Sequence, residues 1–98
     1  MDKEQIIATL RAHESVLHRR GIRRVALFGS VARGVATATS DIDILIELEP
    51  EAPIGVFEYV ALTDYIGALF PVRTDIANRA MLKPHVRPAA ERDAIYAF

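Results

Sequence analysis

An apolar run, Val25 to Phe28, stops at Gly29 and Ser30, and ten residues later Asp41-Ile42-Asp43-Ile44 opens a second run. Side chains on a strand alternate faces, so Ile42, Ile44 and Ile46 enter one layer while Asp41 and Asp43 point the other way, roughly 6.5 to 7 Å apart at Cα. The pattern predicts strand, tight turn, loop, strand, with two carboxylates on one edge.

Two like charges that close repel, and each has its pKa raised unless a positive group sits between them. Mg2+ is a natural neutraliser, a hard ion that takes one or two carboxylates together with phosphate oxygens and water. With no Cys and three scattered His, the chain is poorly equipped for a soft zinc site. The pair therefore points to magnesium and phosphate. Gly29 lets backbone amides approach a polyphosphate closely, and Ser30 at a helix start offers a hydroxyl and unpaired N–H groups to an anion. Arg33, one turn later, has two open roles: contact with a phosphate, or an ion pair with Asp41 or Asp43.

The remaining elements follow from apolar spacing and turn residues. Asp2 is placed to cap a helix that starts near Lys3 and stops at Gly21, with Ile6, Leu10 and Leu17 on its inner stripe and His13 at the core edge. His18, Arg19, Arg20, Arg23 and Arg24 follow; cations at a helix end favour its dipole. Strands are expected over about 24–28 and 41–48, with a short helix near Val31 to Arg33 between them. Glu47 shares the face of Asp41 and Asp43 but sits far along its strand, which favours a surface role.

A turn over 49–53 leads to a helix over about 54–70, with Phe57, Val60, Ala61, Ala68 and Leu69 at core spacing. Val72 to Ile76 reads as a third strand with Arg73 and Asp75 on one side. A carboxylate on an otherwise apolar strand is costly unless it is paired or binds metal, and Asp75 is open between such a role, an ion pair with Arg73 and an ordinary strand-end acid. Asn78 to Leu82 reads as a turn and short helix, and a last helix is expected from Pro88, carrying Ala89, Ile95 and Phe98. Strands interleaved with helices give an α/β (α+β) fold, a small mixed sheet with helices on one side.

The 98 residues suit one domain, 1–98, with a single core and no room for a separate acceptor-binding domain. No apolar run approaches bilayer length and MDKEQII lacks a signal-peptide layout, so the expectation is a cytoplasmic protein without membrane contact. The net charge of −1 conceals segregation: residues 35–70 hold seven Asp/Glu and no Lys/Arg, while residues 1–34 hold seven Lys/Arg against three Asp/Glu. That balance disfavours nucleic acid as a direct ligand and suits cations and basic partners.

Gly29-Ser30, ten intervening residues, then Asp41-Ile42-Asp43, with Ala32-Arg33-Gly34 and Ser40 in their usual places, resemble the polymerase-beta-like nucleotidyltransferases. The short chain looks like the minimal nucleotidyltransferase (MNT) domains that form toxin-antitoxin pairs with HEPN ribonucleases. The resemblance implies that fold, with Asp75 as the third catalytic, metal-site carboxylate beside Asp41 and Asp43, and Gly29, Ser30, Arg33 and Ser40 around the nucleotide. It further implies ATP as substrate, two Mg2+ ions, and a HEPN toxin carrying the acceptor Tyr. The rival expectations are an antitoxin that only binds its toxin, and transfer to a small molecule such as an aminoglycoside.

Overall fold

The computed structural model describes residues 2–35 and 40–98. Asp2 begins the first helix, α1 (Lys3–Ala12), with a reciprocal cap: its carboxylate accepts from Gln5 N at 2.9 Å, and Gln5 Oε1 accepts from Asp2 N at 3.0 Å. The helix expected to run on to Gly21 breaks at His13, whose N–H turns to Leu10 O at 3.1 Å, and resumes as α2 (Glu14–Arg19). Ile6, Leu10 and Leu17 are fully buried across the break. His13 lies half-buried at the core edge, its Nδ1 2.6 Å from the Tyr65 hydroxyl.

Among the described residues four strands follow: β1 (Ile22–Phe28), β2 (Ile42–Leu48), β3 (Thr74–Asn78) and β4 (Ile95–Tyr96), ordered β3-β2-β1-β4. β1 runs antiparallel to β2 and β4, and β2 runs parallel to β3. The sheet is therefore mixed, as expected. A short helix, α3 (Gly29–Ala32), leaves β1, and α4 (Val56–Gly67) makes the crossover from β2 to β3. A 3-10 turn (Arg79–Met81) and α5 (Arg87–Asp93) complete the chain before β4.

The pleat divides the sheet. Ile42, Ile44 and Ile46, opposite Leu27 and Val25, join Ile6, Leu10, Leu17, Leu62 and Ile66 in one buried cluster beneath α1, α2 and α4. Asp43, Leu45 and Glu47 take the other face. There Arg79 contacts Glu47 at 3.7 Å and Glu91 of α5 at 2.7 Å, and Leu45, Ala26 and Ala90 are buried. Helices thus cover both sides rather than one.

Two further expectations change. The last helix stops at Asp93, and Ile95-Tyr96 pair with β1, Ala97 N donating to Val25 O at 2.8 Å. A two-residue strand is too short to show its own period. α4 turns Leu62 and Ile66 inward, so Phe57, Val60, Ala61 and Ala68, expected in the core, are exposed, while Leu69 is half-buried. The helix is apolar on two stripes, and packing against the sheet selects the one that carries Leu62 and Ile66.

Candidate active site

Phe28 ends β1 in an extended conformation and Gly29 turns the chain with φ +75°. A side chain at that position would be strained, and its Cβ would collide with the Asp43 carboxylate, lying 3.0 Å from Cγ. The glycine therefore brings the bend against the acid itself. Arg33 N donates to Gly29 O at 3.1 Å and Val35 N to Ser30 O at 3.0 Å, which holds Ser30 at the start of α3. Ser40 stands half-buried just before Asp41; residues 36–39 between these segments lie outside the described residues.

Asp43 and Asp75 are direct partners across the parallel β2–β3 ladder, so both side chains leave the same face. Asp41, two residues before Asp43, comes to the same edge, where Ile42 N donates to Arg73 O at 2.9 Å. Burial pushes the Asp43 carboxyl above the usual aspartate range, and the charges of Asp75 and Asp41 push it further, with Arg33 opposing. The crowding anticipated for two acids is thus a crowding of three.

The Arg73 guanidinium reaches two of them, Nη2 to Asp75 Oδ1 at 3.3 Å and Nε to Asp41 Oδ2 at 3.9 Å. Asp75 thus pairs with Arg73 while standing beside Asp43 at the acidic edge. Among the described residues no three Asp, Glu, His or Cys side chains have closed into a ligand set. The donors are nevertheless hard carboxylate oxygens, Asp41 and Asp75 are 44% and 45% exposed, and a cationic side chain already lies between them. That donor set and that excess charge fit a hard divalent cation.

Arg33 bonds neither Asp41 nor Asp43: its Nη1 donates to Asp93 Oδ2 at 3.0 Å, tying the bend to α5. Glu47 is not a surface acid; it is half-buried and takes the Tyr96 hydroxyl at 2.9 Å besides Arg79. Three members of the basic cluster are used locally, with His18 bonded to Ile22 O and Glu14, Arg24 stacked on Tyr96 and Arg20 on Tyr65. Sequence reasoning missed a groove of about 520 Å³ between α4 and β3, bounded by Tyr59, Thr63, Gly67, Thr74 and Asp75. Its only sequence trace is the small and hydroxylated set Thr63, Gly67 and Thr74 at the seam of the two elements.

Residues 10–97, a span that includes every one of these site positions, match the family model of the nucleotidyltransferase domain. The chain belongs to the nucleotidyltransferase domain family. It is 35% identical over 94 residues to protein adenylyltransferase MntA of Thermococcus cleftensis, covering 95% of this chain and 93% of that protein. A solved structure assigned as a minimal nucleotidyltransferase superimposes with a TM-score of 0.78 at 37% identity, covering 97% of this chain and 95% of the other. A toxin-antitoxin structure with AMP-PNP shares the fold, with a TM-score of 0.70 at 14% identity over 92% of this chain and 72% of that one. The chain is a nucleotidyltransferase of the minimal type, and the Gly29 bend beside the acids occupies the part of the fold that the sequence motif defined.

Proposed function

We propose that this nucleotidyltransferase is a protein adenylyltransferase and the antitoxin of a HEPN/MNT pair, moving AMP from ATP to a tyrosine hydroxyl of its HEPN ribonuclease toxin in the cytoplasm. The observation that carries this reading is the Asp43–Asp75 register with Asp41 on the same edge, facing the Gly29 bend. The relationship to protein adenylyltransferase MntA supports AMP as the group transferred, and the shared fold of the toxin-antitoxin structure supports a toxin as the partner.

Asp41, Asp43 and Asp75 would hold two Mg2+ ions, which supply charge neutralisation on the triphosphate and at the attacking oxygen. The amides at Gly29 and the Ser30 hydroxyl orient the β- and γ-phosphates. Asp75, which opens onto the α4–β3 groove, takes the tyrosine proton. The phenolic oxygen then bonds to the α-phosphorus, the bond from that phosphorus to the bridging oxygen breaks, and pyrophosphate leaves in line from the Ser30 side. Ser40 borders the nucleotide beside Asp41.

Purified toxin incubated with this protein and α-labelled ATP should acquire label on tyrosine, and the Asp41→Ala, Asp43→Ala double variant should leave it unlabelled. Toxin rescue in cells by that double variant would instead mean that neutralisation works by binding alone. Label on an aminoglycoside and none on the toxin would assign a small-molecule acceptor.

A further inference from the structure

Where α4 packs Leu62 and Ile66 inward it leaves Val56 77%, Phe57 89% and Val60 49% exposed, and Met81, on the adjoining 3-10 turn, is 78% exposed. Surface leucines and valines scattered singly are ordinary, but a contiguous apolar patch marks a contact surface. Between Val56 and Met81 runs an apolar groove of about 320 Å³ whose wall includes Leu48, Ile54 and Tyr59. Tyr59 also walls the groove that holds Asp75. Tyr59 therefore borders both grooves.

Along α4 and the turn before it, the charges beside this patch are acidic. Glu49, Glu51, Glu58 and Asp64 are exposed, no Lys or Arg occurs between residues 35 and 70, and none of the four enters an ion pair among the described residues. A partner that fits presents apolar side chains to Phe57 and Val60 with Lys or Arg around them, since complementary charge sets register and encounter rate. An acceptor protein of that chemistry seated here lies directly against the mouth of the Asp75 groove.

We propose that the outward face of α4, with Phe57 and Val60 at its centre and acids at its rim, is the docking surface for the acceptor protein and guides its hydroxyl past Tyr59 to Asp75. The inference rests on the protein adenylyltransferase reading and adds the surface that selects the acceptor.

The test uses two double variants on the exposed face, Phe57→Ser with Val60→Ser and Glu51→Lys with Glu58→Lys, and purified HEPN toxin as the probe. Transfer from labelled ATP is followed against toxin and ATP concentrations, direct toxin binding by calorimetry, and Mn2+-ATP binding by electron paramagnetic resonance. Docking at α4 raises the KM for toxin about tenfold or more in both variants, as expected for loss of a buried anchor, with Mn2+-ATP binding and the KM for ATP unchanged. Charge reversal also flattens the salt dependence of toxin binding. Unchanged toxin KM in both variants overturns the proposal, as does a wild-type dimer that the serine variant dissociates without change in toxin KM. If wild-type protein binds toxin but transfers no AMP, the adenylyltransferase reading fails, and calorimetry alone then decides docking: weaker binding by the serine variant supports it, equal binding overturns it.

Discussion

Asp43 on β2 and Asp75 on β3 are registered neighbours in a parallel ladder, which sets two carboxylates side by side with Asp41 at the same edge. The alternation that sends Ile42, Ile44 and Ile46 into the core thereby concentrates negative charge on the other face. Metal-free protein carries that repulsion as a cost of its fold.

The cost makes stability depend on pH with a definite sign. Burial, then Asp75 and Asp41, raise the Asp43 pKa in the folded state, so the folded chain holds that proton more tightly than the unfolded one. The stabilisation from protonation is fully present below the ordinary value of 3.8 and disappears as pH climbs from there through the raised folded value. In Asp43→Asn the decline should flatten and the melting temperature in EDTA at pH 7 should rise, although AMP transfer is lost. Melts followed by circular dichroism across a pH series check this.

Gly29 and Gly34 separate strain from collision. Both have positive φ, 75° and 76°, but only at Gly29 would a Cβ meet another group, the Asp43 carboxylate; at Gly34 nothing lies within 4 Å. Gly34→Ala should cost about 1–2 kcal/mol from the left-handed conformation alone and leave transfer intact. Gly29→Ala should cost at least as much and also abolish transfer, because the carboxylate must move aside. Urea unfolding beside an activity assay distinguishes the two.

Arg73 spans Asp41 and Asp75 while remaining 75% exposed. An ion pair that open is worth at most about 1 kcal/mol, so Arg73→Ala should lower the metal-free melting temperature only slightly. The same variant removes a competing cation, and the rise in melting temperature on adding Mg2+ should exceed that of the wild type. Thermal shift titrations with Mg2+ measure it, and an equal or smaller rise would sink the idea.

The orientation of α4 is open to an equally direct check. Ile66 is fully buried, and Ile66→Ala should cost about 2–5 kcal/mol through lost contacts and a cavity. Phe57→Ala, on a side chain 89% exposed, should change stability by no more than about 0.5 kcal/mol. Urea midpoints of the two variants report which stripe faces the sheet.

Much of the site was legible because local rules fix it. The isoleucine-aspartate alternation gave the faces of β2, Gly29 marked the bend, and the parity of Asp75 survived although β3 begins at Thr74 rather than Val72. What long-range packing decides was not legible. α4 offers two apolar stripes, and only contact with the sheet distinguishes Leu62 and Ile66 from Phe57 and Val60. The pairing of Arg33 with Asp93, sixty residues away, and the β4 ladder to Ala26 and Leu27 likewise depend on tertiary closure. The break at His13 left no mark in a stripe that continues through it.

The strand order places β3 at one margin of the sheet, its outer N–H and C=O groups unpaired with any strand among the described residues. Such margins template aggregation unless charge discourages it. Arg73 just before β3 and Asp75 within it provide that charge. Replacing Asp75 with an apolar residue should thus yield a protein prone to fibrous assembly, so the acid proposed for the chemistry also keeps neighbouring molecules apart.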